Sequence, residues 1–140
     1  MENMPLINGV AYSWADIRLN LLGKTVAGIT AIKYGDEREM ENNYGGGSAP
    51  VSRGYGNEKP TASITLHVEE VRALIRIAPG RKITKIRMFD IPVCYLPEGG
   101  IMVTDIIKNA QFTKCEIDWK QGDMKGEVEL PLIISEVKWG

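Results

Sequence analysis

Between Met40 and Pro60 the chain reads MENNYGGGSAPVSRGYGNEKP, with five glycines, two prolines and two tyrosines. No other stretch comes so near to a recognisable chemistry, because glycine-rich backbone can turn its N–H groups onto a phosphate. A P-loop needs two glycines four residues apart, followed by Lys and then Ser or Thr. Here Gly47 and Gly54 are too far apart, and Tyr55 stands where the lysine is required. A dinucleotide fingerprint needs a helix N-terminus directly after the glycines. Gly45-Gly46-Gly47 leads instead into Ser48-Ala49-Pro50, and Gly54-Tyr55-Gly56 into Asn57-Glu58-Lys59-Pro60. Neither opens an amphipathic helix, so the segment is no phosphate cradle.

The other candidates for chemistry have plainer readings. His67 is the one histidine, and nothing marks a Ser or Cys and a carboxylate that would join it in a triad. It reads as a polar residue at the entry of a helix. Asp90, Asp105, Asp118 and Asp123 are scattered over strand ends and turns, with no spacing that makes a catalytic pair. Cys94 and Cys115 read as reduced, partly buried thiols, and one histidine without a Cys-x-x-Cys supplies too few zinc ligands. Trp14, Trp119 and Trp139 read as core or interface residues; Lys120 and Lys138 beside two of them are too few for a base-stacking platform. Neither a catalytic constellation nor a cofactor or metal site is expected.

The elements that would carry these residues alternate mostly with a period of two. Ile17, Leu19 and Leu21 alternate with polar residues, Gly23-Lys24 reads as a turn, and Val26–Tyr34 as a second strand. Ile64, Leu66 and Val68 form a third. Val68, Val71, Leu74, Ile75 and Ala78 then recur every three or four residues, with Glu69 and Glu70 early and Arg72 and Arg76 later, an order that suits the helix dipole. Pro79-Gly80 ends this helix over residues 68–78. Strands resume at Ile91–Tyr95, Ile101–Thr104, Ala110–Trp119 and Glu127–Ile134, with turns at Pro97–Gly100 and Gln121–Asp123. Pro92 and Pro131 each lack a ladder donor and are expected at edges or bulges. The expected fold is mainly β: a single domain, a small antiparallel barrel or sandwich of about seven strands, with one flanking helix and a long extended loop over residues 36–60.

Composition sets the remaining bounds. At 140 residues the chain is long enough for a real core, and 44% hydrophobic with 25% charged residues is ordinary for a globular domain. A net charge of −1 offers no general attraction to nucleic acid or anionic lipid. No apolar run approaches the roughly 20 residues of a membrane span, so no membrane anchor is expected. The start, MENMPLINGVAYSW, lacks the pattern of a secretory signal. Charge is nonetheless segregated. Asp36, Glu37, Glu39 and Glu41 precede the glycines, relieved only by Arg38, while Arg72, Arg76, Arg81, Lys82, Lys85 and Arg87 follow one another without an acid. Such runs are usually solvated faces, but they also suit contact between the acidic stretch of one protomer and the basic stretch of another. A structureless segment of this length inside a compact domain is expected only where it functions or orders on binding. Met40, Tyr44 and Tyr55 would be its anchors.

Taken together, GITAIKYGDEREMENNYGGGSAPVSRGYGN, SITLHVEEVRALI, FDIPVCYL and FTKCEIDWKQGDMKGEVELPLIIS resemble phage tail-tube-like proteins over most of the chain. The shared pattern is a strand running into a long extended loop, one helix after the early strands, and a late QGD turn before the closing strand. The resemblance implies the small β-barrel with one helix that tail tubes share with the tube protein of type VI secretion systems. It further implies a non-enzymatic virion protein made in the host bacterial cytoplasm, forming hexameric rings whose sheets join around a lumen. DNA would pass through that lumen without sequence-specific binding, and other partners would be sheath or baseplate proteins. The long loop becomes an assembly arm, with Glu37, Glu39, Glu41, Tyr44, Tyr55, Arg81, Lys82 and Lys85 at interfaces between copies. The chain shows no long N-terminal arm, which leaves a tail-completion or baseplate subunit open. A rival from another class is a β-barrel binding protein or enzyme with a glycine-rich lid; it would stay monomeric, where a tube protein polymerises.

Overall fold

A computed structural model describes residues 5–12, 15–21, 24–26, 28–117 and 126–140. The strands are β1 (Leu6–Ile7), β2 (Val10–Ala11), β3 (Ala15–Ile17), β4 (Asn20–Leu21), β5 (Lys24–Thr25), β6 (Ile29–Tyr44) and β7 (Pro50–His67). Helix α1 (Val68–Ile77) and two short 3-10 turns, Pro79–Arg81 and Ile83–Lys85, lead to β8 (Phe89–Tyr95), β9 (Val103–Phe112), β10 (Glu127–Ile133) and β11 (Glu136–Lys138). One sheet runs in the order β2-β1-β6-β7-β10-β9-β8-β3, with β11 also on β9, and it curls into a half-barrel. β4 and β5 pair separately.

The helix forms where its spacing predicts. Val71 and Leu74 are fully buried, Val68 nearly so, and Ile75 packs partly against the same core. Glu69 and Glu70 lie in the first turn and Arg76 in the last. His67 occupies the N-cap without a side-chain cap bond, as its plain reading expects. Pro79 follows the last turn, and Gly80 takes the left-handed φ of 63°. Ile32, Ile64, Leu66, Ile91, Val93, Ile107, Phe112 and Leu130 complete one continuous core beneath α1.

Several strand expectations need correction, beginning with the one through Ile17, Leu19 and Leu21, which is divided between β3 and β4 in different sheets. Ile101–Thr104 and Ala110–Trp119 were expected as separate strands, but Val103–Phe112 is one strand and residues 113–117 are irregular. The buried positions run Asp105, Ile107, then Ala110, Phe112, so the phase slips by one. Asn109, with φ 53°, is the reason: the register between β8 and β9 shifts there, a bulge that resets which residues face inward. The prolines also lie in interior strands rather than at edges. The carbonyl of Pro92 accepts from Arg18 N–H just past the end of β3, and that of Pro131 from Thr113 N–H just past the end of β9. Nitrogen and carbonyl of one strand residue point the same way, so each missing donor faces a place where the neighbouring strand is already running out.

The start of the described chain is pinned by a two-residue hairpin. Asn8 (φ 51°) and Gly9 (φ 81°) join β1 to β2 in the left-handed conformations that a tight hairpin needs. β1 then runs parallel to β6, and Asn8 Oδ1 accepts from Tyr34 N–H at 2.9 Å.

Candidate assembly surface

The segment over residues 36–60, expected as a structureless loop, is a paired β-hairpin. β6 and β7 pair from Tyr34↔Ala62 to Asn43↔Ser52, with one bulge on β7 between Arg38↔Glu58 and Met40↔Tyr55, and only Gly45–Ala49 are left as a tip. Alternation of apolar and polar residues, the usual strand signal, is missing because neither face is covered by this chain. β1 reaches β6 only at Ala31 and Ile32, and β10 reaches β7 only as far as Ala62. Beyond these points the hairpin is an arm, and at about 3.4 Å per residue Glu37–Tyr44 projects roughly 25 Å.

The arm has two unlike faces. Even-numbered residues of β6 continue the core-facing row: Ile32 and Tyr34 are buried, then come Asp36, Arg38, Met40, Asn42 and Tyr44. Tyr55 stands opposite Met40, and Arg53 opposite Asn42. The Arg38 guanidinium lies 4.7 Å from the centre of the Tyr55 ring, and Arg53 Nε donates to Asn42 Oδ1 at 3.2 Å. Yet Met40, Tyr44 and Tyr55 are 56–59% exposed and Val51 73%. Beyond the charged Asp36 and Arg38, this face carries large apolar side chains that the described chain leaves exposed. Odd-numbered residues carry the acids, Glu37, Glu39 and Glu41, on the other face. Glu39 pairs with Lys59 of the arm itself, whereas among the described residues Glu37 and Glu41 have no ion-pair partner.

Of the expected interface residues, the structure therefore brings the three glutamates together on one face and the two tyrosines together on the opposite one. Arg81, Lys82 and Lys85 are exposed on the 3-10 turns after α1, a separate surface of the body. Ile77 and Met88, both exposed, flank that basic segment.

The remaining polar candidates divide by burial. Asp105 is only 1% exposed, the buried charged residue of the described core. It accepts from the Tyr34 hydroxyl at 2.5 Å and from Gly140 N–H at 2.8 Å. Burial, with the Asp105 bond second, pushes the Tyr34 phenol well above its usual range. Sequence reasoning missed this pair, since no local pattern links residues 71 positions apart. Cys94 and Cys115 are free thiols, and burial pushes Cys115 up. Trp14, Asp118, Trp119, Lys120, Asp123 and the Gln121–Asp123 turn lie outside the described residues. Trp139 is half exposed and lies against Tyr34.

Asp90 staples the β9 bulge. Its Oδ1 accepts from Asn109 N–H at 3.0 Å and its Oδ2 from Lys108 Nζ at 3.4 Å. The Asn109 backbone bond holds the carboxyl below its usual value, with Lys108 adding to it. A depressed carboxylate pKa gives stability that is present above the unfolded value, about 3.9, and is lost as pH falls through the folded one. Denaturant midpoints taken from pH 6 down to pH 3 should therefore fall more steeply for the parent chain than for Asp90→Asn. Parallel profiles would remove this role.

No protein-family model matches the chain, and no curated protein sequence does. Solved structures do. A chain in the tube-terminating cap of the anti-feeding prophage is 12% identical, with a TM-score of 0.58 over 90% of this chain and 87% of that one. A chain in the sheath–tube complex of an extracellular contractile injection system is 11% identical, at 0.57 over 89% and 87%. A chain in the tail of a gene transfer agent particle, refined with C6 symmetry, is 16% identical, at 0.51 over 89% and 93%. The protein has a tail-tube-like fold.

Proposed function

We propose that this chain is a structural, non-enzymatic component of a phage-like tail, assembling with copies of itself through the arm. The observation that carries the reading is the group of exposed apolar side chains on one face of the arm, Met40, Tyr44, Val51 and Tyr55, in a fold that matches chains of tube, cap and tail assemblies. An isolated two-stranded hairpin is marginal in water, so an arm of this length gains its stability by packing on another surface. The lid alternative is less well supported, because beyond Ala62 the two strands of the arm pair only with each other among the described residues. No described helix is long and apolar enough to cross a membrane.

In this reading copies form a ring, with six as the expected number, and rings stack into a tube on which sheath or baseplate proteins act in the tail of the particle. DNA would pass through the lumen without sequence-specific contacts. A cap-like or tail-completion position uses the same surfaces. Concentrating the purified protein and imaging it by negative stain tests the reading: rings or tubes support it, and a monomer at every concentration overturns it.

Stacking makes heterologous contacts, in which one surface complements a different one. The acidic arm face and the Arg81, Lys82 and Lys85 surface are the complementary pair. Each exposed ion pair contributes only about 0–1 kcal/mol, but repetition around a ring makes the contacts act together. Arg81→Glu with Lys82→Glu should weaken assembly without changing the melt, and added salt should weaken the parent in the same direction. Glu37→Lys with Glu41→Lys, chosen because Glu39 is already paired with Lys59, should then partly restore it. Sedimentation decides; a first variant that assembles like the parent ends this pairing.

A further inference from the structure

The arm joins the body at a weak point of its own ladder. Tyr34, Gly35 and Asp36 of β6 stand opposite Ala62, Thr61 and Pro60 of β7. Gly35 has no side chain, and nothing lies within 4 Å of where a Cβ would stand. Pro60 has no N–H to offer. Beside this root is an open hollow of about 530 Å³, lined by Asn8, Lys33, Tyr34, Gly35, Thr61 and Ser63 among others. Packing on that side therefore does not set the direction of the arm.

Residues 136–140 cross the root. β11 is held on β9, with Val137 opposite Ile107. Trp139 then lays its indole on Tyr34, ring centres 5.5 Å apart, and its Nε1 donates to Asp36 Oδ2 at 3.2 Å. Gly140 N–H donates to one oxygen of buried Asp105, whose other oxygen accepts from the Tyr34 hydroxyl. Gly140 sits so closely on β9 that a Cβ there would overlap the Thr104 backbone. Two residues of β6, one on each side of Gly35, are thus gripped from β9 and from the segment after β11. The grip spans the glycine.

We propose that Trp139 and Asp105 are positioning residues for the arm, fixing the angle at which it leaves the sheet. This rests on the arm being the assembly element: a direction set beforehand leaves less freedom to be lost when the arm meets a neighbouring copy. Asp105 holds Tyr34 from inside the core, and Trp139 holds Asp36 at the surface, where it is open to substitution with less risk to folding.

The test compares the parent chain with Trp139→Ala, Trp139→Phe and Asp36→Ala, which removes the acceptor, at concentrations where it is monomeric. Spin labels at Ser48→Cys on the arm tip and Glu129→Cys on β10, in a Cys94→Ser, Cys115→Ala background, report arm direction. The distance distribution should be narrow in the parent, broad in Trp139→Ala and intermediate in Trp139→Phe, which keeps the ring and loses the N–H donor. Amides around Gly35 and Thr61 should exchange about tenfold faster in Trp139→Ala, while those of Ile64, Leu66 and Leu130 keep their protection. A merely structural role would lower protection everywhere and leave the distribution centred and narrow. If Trp139→Ala does not fold, Trp139→Phe and Asp36→Ala carry the same readouts. An unchanged distribution in the folded variants overturns the proposal. A broadened distribution with undiminished assembly keeps the positioning role and instead removes the arm from assembly.

Discussion

Replacing residues 36–60 by a two-residue Asn-Gly turn should leave a folded body that no longer assembles. Gly35 and Thr61 already face each other across the ladder, so an Asn-Gly turn can close the strands there in the geometry such hairpins favour. The residues removed are exposed or partly exposed and contribute none of the buried core. The body should therefore keep its far-UV spectrum and a cooperative melt near that of the parent. Assembly should be lost altogether, because the removed row of Met40, Tyr44, Val51 and Tyr55 holds the apolar surface that the fold leaves uncovered on the arm. Sedimentation and negative stain check the outcome. Tubes formed by the shortened chain would refute an assembly role for the arm, and a failure to fold would show that the arm stabilises the body.

The second large effect lies in the core. Leu74 is fully buried on α1, which rests on β7 and β10. Leu74→Ala should cost about 2–5 kcal/mol, combining lost burial with the cavity left behind. In a domain of this size that lowers the melting temperature by on the order of 10 °C. Ile75, only partly buried beside Cys115, should cost clearly less when truncated. A calorimetric melt of both variants measures the difference, and equal effects would mean that the helix is rotated from its described position.

How much of this was legible in the sequence follows from which faces the chain itself covers. α1 was readable because Val68, Val71 and Leu74 repeat at helical spacing, the charges follow the dipole, and Pro79 stops the run. β10 was readable because Val128, Leu130 and Leu132 alternate against a single core. Asn8-Gly9 carries a strong hairpin signal in its residue types alone. β9 is not legible as one strand because the bulge at Asn109 shifts the inward phase, and a strict period of two breaks at such a point.

The arm shows the limit most clearly. Its composition set it apart, and its glutamates and tyrosines were singled out by residue type. That it is a hairpin rather than a loop depends on hydrogen bonds between β6 and β7, which leave no trace in hydrophobic periodicity when neither face is buried. By itself the sequence determined the class of fold, the helix and the segregation of charge, because each rests on residues near one another in the chain. The tertiary structure alone decided that Glu37, Glu39 and Glu41 share one face and Tyr44 and Tyr55 the other. It also singled out Asp105, one of several scattered acids, as the buried centre of a grip on the arm. Those outcomes depend on strand register and on contacts such as Tyr34 to Asp105, 71 residues apart, where local pattern carries no information.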